Sequence, residues 1–133
     1  MGFANKAAHD AYIKRKADRY SIQGREQEDQ VWRILSRARL EGEPTFAWVT
    51  HHAAYSTPDR QGKDFTVARV VRGEIVSRSF GVTISLKSWK LDQQLYPGVP
   101  QFCFPIGTRP DTIIKRILSL FDDSGADEKT PAG

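Results

Sequence analysis

Two stretches in the middle of the chain decide the fold. Residues 64–71 read Asp-Phe-Thr-Val-Ala-Arg-Val-Val, and residues 81–87 read Gly-Val-Thr-Ile-Ser-Leu-Lys. Both are rich in β-branched and aromatic residues, and the turn-forming Arg72-Gly73-Glu74 follows the first, so each stretch predicts a β-strand. Residues 75–80 extend one of these strands or pair with the next.

Helical patterns and shorter strands flank this centre. Residues 26–40 predict a helix, because their apolar residues recur at steps of three and four: Val31, Trp32, Ile34, Leu35, Ala38 and Leu40. Residues 45–50 and 101–104 predict further strands, and residues 56–62 predict a loop. A last helix begins at Pro110 and carries an apolar stripe. We therefore expect an α/β fold, with a mixed β-sheet flanked by helices in a single domain.

The length and composition fit one soluble domain. The chain has 133 residues, of which 39% are hydrophobic. Residues 24–121 form the expected domain. Residues 1–23 are a charged N-terminal extension with some helical character, and residues 122–133 are an acidic tail expected to be disordered. No stretch is apolar enough to span a membrane and no secretory signal precedes the domain, so we expect a cytoplasmic protein.

The charge and the cysteine content limit the classes of function that the chain can have. Cys103 is the only cysteine, which excludes an intramolecular disulfide and a multi-cysteine zinc site. The chain has 20 basic and 16 acidic residues. Four of the acids and one lysine lie in the tail, so the rest of the chain carries 19 basic and 12 acidic residues, an excess of seven. Such a basic body favours a polyanionic partner.

Four residues are candidates for a catalytic site. Side chains alternate along a strand, so Ser85 and Lys87 share one face if residues 81–87 are a strand. Antiparallel pairing would bring Asp64, at the start of its own strand, to the same edge of the sheet. A carboxylate that holds Mg²⁺ or Mn²⁺, an oxygen ligand and a lysine are the groups that metal-assisted phosphodiester hydrolysis needs. Glu28 adds a second carboxylate from the first helix.

These residues also resemble a known family. The segments are Glu28-x-x-Val31, then Asp59-Arg60-Gln61-Gly62-Lys63-Asp64-Phe65-x-Val67, then Ile84-Ser85-Leu86-Lys87-Ser88. Together they resemble the PD-(D/E)XK nuclease superfamily, and in particular its small bacterial proteins with a D-x-x-G-x-D-F segment. The resemblance covers residues 24–121. It implies a restriction-endonuclease-like fold and Mg²⁺-dependent (or Mn²⁺-dependent) hydrolysis of DNA phosphodiester bonds.

The resemblance also implies roles for individual residues. Asp64 would be the principal metal ligand, Glu28 and Ser85 further ligands, and Lys87 the motif lysine that acts with Asp64 in catalysis. Since such nucleases often act in pairs, a homodimer is implied as well. Contacts to nucleic acid are assigned to four residues near these motifs: Arg60, Lys63, Trp89 and Lys90.

One position departs from the family pattern and keeps a second hypothesis open. The family has Glu, Asp or Gln two residues before the lysine, where this chain has the neutral Ser85. The alternative is a catalytically degenerate protein of the same fold, which binds nucleic acid or serves a phage or mobile element as a structural or adaptor protein. Each candidate also has an ordinary structural explanation, such as a turn for Asp64 or a strand-end lysine for Lys87. His51 and His52, as strand neighbours, are expected to point to opposite faces.

Overall fold

The fold is seen in a computed structural model, which describes residues 22–122 together with Lys6 and Asp10. Most of the predicted N-terminal extension (1–23) and of the predicted acidic tail (122–133) lies outside the described residues. The described chain is an α/β structure in one compact domain, with four α-helices, a mixed four-stranded sheet and a separate two-stranded ribbon. The predicted fold class is therefore confirmed.

The helices begin and end at recognisable signals. They are α1 (Ile22–Arg37), α2 (Thr57–Arg60), α3 (Leu86–Leu95) and α4 (Pro110–Leu118), which continues as a 3-10 helix over Ser119–Phe121. Proline stands in the first turn of α4, where its missing N–H costs nothing. The short α2 was predicted as loop; Ser56 caps it by accepting from the Asp59 N–H, and Pro58 stands in its first turn.

The strands are β1 (Arg39–Leu40), β2 (Glu43–Pro44), β3 (Trp48–His51), β4 (Phe65–Val71), β5 (Glu74–Thr83) and β6 (Gln101–Cys103). The predicted helix 26–40 is wrong at its C-terminal end, because β1 pairs with β2 across a tight turn. Glu41 and Gly42 both have positive φ in that turn, a conformation that stops a helix.

The main sheet has the strand order β3-β4-β5-β6. β3, β4 and β5 are antiparallel neighbours, whereas β6 runs parallel to β5. A parallel neighbour needs a crossover connection, and α3 supplies it between β5 and β6. The long strand β5 includes residues 75–80, so these extend the strand rather than forming another one.

One face of the sheet carries the hydrophobic core. Phe65 and Phe80 are direct cross-strand partners on this face, and both are fully buried. The core also takes residues from α1, from strands β4, β5 and β6, from α4 with its 3-10 extension, and from the segments between these elements: Val31, Leu35, Ala38, Phe46, Val67, Val82, Phe102, Phe104, Ile113, Ile117 and Phe121. α3 packs against β5 and β6 but contributes none of these core residues. We call this side the core face.

On the other side, eight residues form what we call the open face; all but the buried Ala68 are exposed or half-buried: Trp48, Thr50, Thr66, Ala68, Val70, Ile75, Ser77 and Ser79. Register places these residues together, because Trp48, Ala68 and Ser77 are cross-strand partners, as are Thr50, Thr66 and Ser79. None is charged, and Trp48, Val70 and Ile75 are among the exposed large hydrophobic residues.

Candidate functional site

Glu28 lies on the buried side of α1 and faces the sheet. Val31 and Leu35 follow it at helical spacing and pack into the core, so the same side of the helix brings the Glu28 carboxylate inward. Its Oε1 lies 2.7 Å from Nε2 of His51 at the end of β3. The His51 ring in turn stacks on Phe65, with 4.6 Å between ring centroids. The predicted inward direction of Glu28 is confirmed, and sequence reasoning missed His51 as its partner.

Asp64 lies where antiparallel pairing predicts, next to the end of β5. Its N–H donates to the carbonyl of Phe80 at 2.8 Å, and its Oδ2 accepts from the N–H of Val82 at 2.8 Å. The side chain is 1% exposed. A buried carboxylate that receives a backbone N–H is a strong, charge-assisted acceptor. Asp64 therefore holds the start of β4 to the end of β5.

Ser85 and Lys87 are not strand residues, and the predicted strand 81–87 is wrong in its second half. β5 ends at Thr83. Ser85 caps helix α3, because its Oγ accepts from the N–H of Ser88 at 3.1 Å. Lys87 lies in the first turn of that helix with an exposed side chain. The alternation of apolar and polar residues at 82–86 is typical of a strand. The strand prediction fails there because Ser85, a residue type that favours the N-cap position, begins a helix instead.

The strand register shows which residues do lie beside Asp64. Phe65 pairs with Phe80, so the next position opposite Asp64 is Gly81, and Thr83 follows on the same side of β5. Gly81 has no room for a side chain: a Cβ atom there would lie 2.0 Å from Gln101 Oε1 and 2.6 Å from the Gly62 carbonyl oxygen. No acid or lysine therefore occupies the strand positions next to Asp64.

Two cavities meet at Glu28. One, of about 190 Å³, lies between α1 and the start of α3 and is lined by Gly24, Gln27, Glu28, Val82, Thr83, Ile84, Ser85 and Ser88. The other, of about 250 Å³, lies between α1 and the end of β3 and is lined by Arg25, Glu28, Asp29, His51, His52, Ala53 and Ala54. The structure thus brings Glu28 and Ser85 to one cavity, and neither Asp64 nor Lys87 lines it.

His52 begins a chain of polar groups on the other side of β3. Its Nε2 lies 2.7 Å from Thr66 Oγ1, which lies 2.7 Å from Ser79 Oγ. Burial lowers the pKa of His52 below its ordinary value, although the nearby Asp64 and Asp59 carboxylates act in the opposite direction. His51 contacts Glu28 and His52 contacts Thr66, so the prediction that the two histidines point apart is confirmed.

The residues assigned to nucleic acid lie around the same end of the sheet. Arg60 is exposed at the end of α2, Lys63 is half-buried one residue before Asp64, and Lys90 is exposed on α3. Trp89 is half-buried, and its Nε1–H donates to the Gln101 carbonyl at 2.8 Å. Its indole N–H therefore attaches α3 to β6.

Asp59 and Gln101 are structural residues; Asp59 lies in the segment 56–62 that was predicted to turn, whereas the sequence analysis missed Gln101. Asp59 is 2% exposed, and its Oδ2 accepts from the N–H of Tyr55 at 2.8 Å. Gln101 donates from Nε2 to the Gly62 carbonyl at 3.1 Å and so holds the loop before Asp64 against β6. The Ser56-Thr57-Pro58-Asp59 pattern is a recognisable helix start that points to Asp59, whereas nothing local in the sequence marks Gln101.

These donor groups do not assemble into a magnesium site as they stand. Glu28 Oε1 is bound to His51, Asp64 Oδ2 to the Val82 N–H, and Ser85 Oγ to the Ser88 N–H. Among the residues that the structure describes, no group of three or more His, Cys, Asp or Glu side chains is placed to hold a metal ion. Mg²⁺ prefers several oxygen ligands in near-octahedral geometry, so we derive no metal-dependent step from this arrangement.

Comparisons with protein families, with curated proteins and with solved structures find no match for this chain. Within the described part of the chain, none of the helices combines the length and hydrophobicity that crossing a membrane requires.

Proposed function

We propose that this protein binds nucleic acid on a nuclease-like scaffold that lacks the residues for metal-dependent cleavage. The observation that carries the proposal is how charge is divided between surface and interior. Residues 22–122 contain 14 Lys and Arg side chains, all exposed or half-buried. The same residues contain 11 Asp and Glu side chains, of which four are buried: Glu28, Asp59, Asp64 and Asp92.

The solvent-exposed surface of the described domain therefore has a larger excess of positive charge than the domain as a whole. Fourteen basic side chains and seven acidic side chains are exposed or half-buried, while the other four acidic side chains are buried. A polyanion interacts with exposed charges far more than with buried, hydrogen-bonded ones. Neutralising phosphates with Lys and Arg releases condensed counterions and makes binding strongly salt-dependent.

The order of elements supports the scaffold part of the proposal. Helix α1, the antiparallel strands β3, β4 and β5, the crossover helix α3 and the parallel strand β6 occur in this order, which fits the restriction-endonuclease-like resemblance, with the β1–β2 ribbon and the short α2 inserted between them. The lack of an acid or lysine on β5 opposite Asp64 favours the degenerate form of that scaffold, because this position is Gly81, which has no space for a side chain.

Fluorescence anisotropy of labelled oligonucleotides, measured over a range of salt concentrations, tests binding. We expect log K to fall steeply and linearly with log salt. Lys87→Gln and Lys90→Gln, on α3, should each lower the slope by about one if they contact phosphates. Arg72→Gln, on the exposed β4–β5 turn, is the matched control with an equal loss of charge. Absence of measurable binding at low salt would refute the proposal.

A second candidate is the Mg²⁺- or Mn²⁺-dependent DNA hydrolysis that the resemblance implies. The observation in its favour is that two buried carboxylates flank Val82: Asp64 accepts from its N–H, and Glu28 shares a cavity wall with it. Incubation of supercoiled plasmid with either metal separates the two candidates. Nicking that disappears in both Asp64→Asn and Glu28→Gln would establish the nuclease, and intact plasmid would favour binding alone.

A further inference from the structure

The solvent side of α1 carries a basic patch around an exposed tryptophan. We call Arg25, Trp32, Arg33 and Arg37 the α1 patch. Seven residues separate Arg25 from Trp32, which is about two helical turns, so these two lie on one line along the helix. Arg33 and Arg37 are four residues apart and lie farther round the solvent side of the helix, about 100° and about 140° from Trp32. All four side chains are exposed, and the opposite side of the helix holds Val31 and Leu35 in the core.

Trp32 is not part of the hydrophobic core. Its neighbours Val31 and Leu35 supply the apolar surface that α1 buries, while Trp32 itself keeps 42% of its surface exposed. Two acids, Glu26 and Asp29, lie on the same side of the helix. Arg39, in β1 directly after the helix, adds another exposed positive charge. The solvent side of α1 itself therefore has three arginines against two acids, with the Trp32 indole at its edge.

The geometry points to single-stranded nucleic acid as the ligand of the α1 patch, an inference that rests on the proposed function. An exposed indole can stack on the face of a base, and the arginines can contact the phosphates on either side of that base. A duplex keeps the faces of its bases inside the stack, so it offers Trp32 nothing to stack on. A single strand exposes the faces of its bases together with its phosphates, so it can contact the Trp32 indole and the arginines of the α1 patch at the same time.

The other exposed tryptophan provides the contrast. Trp48 is 47% exposed, much like Trp32, but it lies on the open face, where every residue is uncharged. Among the described residues of the open face, none is a cation that could hold the phosphate of a base stacked on Trp48. The two tryptophans thus differ in charged surroundings rather than in exposure, and this makes Trp48 a matched control.

Titration of the full chain with oligo-dT, oligo-U and a DNA duplex tests the inference. We expect both single strands to quench tryptophan fluorescence and to bind more tightly than the duplex; the ratio of the dT and U affinities shows whether DNA or RNA is preferred. Trp32→Ala should lose about tenfold or more in single-strand affinity, as is usual when one stacking side chain is removed. Trp32→Phe, which keeps a ring to stack, should lose less, and Trp48→Ala should bind as the wild type does.

The outcomes separate this inference from the proposed function. Tighter binding of the duplex, or equal losses in Trp32→Ala and Trp48→Ala, would overturn the α1 patch while leaving nucleic-acid binding in place. No binding to any of the three probes would overturn both. Far-UV circular dichroism of each variant checks that the fold is intact, which we expect because both indoles are exposed.

Discussion

The two faces of the main sheet share the same strands and differ in almost every other respect. On the core face, the row formed by His51, Phe65 and Phe80 packs ring against ring under α1 and α4. The adjacent residues Thr50, Thr66 and Ser79 lie on the open face, where a hydrogen bond joins the hydroxyls of Thr66 and Ser79. Successive side chains along a strand point to opposite faces of the sheet. Neighbouring residues therefore contribute either to the hydrophobic core or to the open face.

The largest effect is expected on the core face. Phe80→Ala should lower the free energy of unfolding by about 3–5 kcal/mol, because it removes a fully buried ring and leaves a cavity. Phe80 contacts two other rings, stacked on Phe65 at 5.5 Å and edge-on to Phe102 at 5.6 Å between centroids. Urea denaturation followed by circular dichroism measures the loss.

Ser79→Ala is the matched control for that prediction on the neighbouring residue. It removes one half-buried hydroxyl hydrogen bond, which contributes about 1 kcal/mol on average. If the two variants lost similar amounts, the open face would be as important for folding as the core face, and the comparison between the faces would fail.

A smaller effect is expected at the polar end of the sheet. Asp64→Ala should cost about 1–3 kcal/mol, because it leaves the buried Val82 N–H without its acceptor. Thermal unfolding of the variant measures the change. A gain in stability would contradict the structural role, because functional groups are often kept at the expense of stability. In that case the carboxylate would be a ligand group rather than the hydrogen-bond acceptor that joins β4 to β5.

Much of this arrangement was predictable from periodicity and turn chemistry. The alternation at Phe65, Thr66 and Val67 identifies the core face, and the stripe from Ile113 to Phe121 identifies α4. Pairing of β4 with β5 follows from the short turn at Arg72-Gly73, both of which have positive φ. Ala68 and Val70 interrupt the alternation, so the sequence does not reveal that Val70 is 62% exposed on the open face.

The candidate site was predictable only in part, for a physical reason. Glu28 and Asp64 lie in elements with strong patterns, so their positions follow from those elements. Ser85 and Lys87 lie where a strand changes to a helix, and there the capping hydrogen bond of Ser85 decides between the two. The His51 partner of Glu28 and the Gln101 contact with Gly62 join distant parts of the chain, which no local pattern encodes.

The smallest predicted effect is a pH dependence of the free energy of unfolding, which arises from His52 directly after β3. Burial lowers the pKa of His52 from its ordinary 6.5, so the unfolded chain takes up a proton at this residue before the folded chain does. Its contribution to stability is therefore complete above pH 6.5 and is lost as the pH falls towards the lowered pKa of the folded state. Since His52 is only half-buried, solvent screening keeps this contribution below about 1 kcal/mol.

His52→Asn isolates this effect, because asparagine does not titrate and can still hydrogen-bond to Thr66. The free energy of unfolding of both proteins is measured at pH 8 and at pH 5.5, so that the ionisable groups common to both proteins contribute to both measurements and the comparison reports on His52. We expect the wild type to lose more stability on acidification than the variant does. Equal losses would mean that the His52 imidazole keeps its ordinary pKa in the folded chain, and that the hydroxyl chain through Thr66 and Ser79 does not depend on a neutral ring.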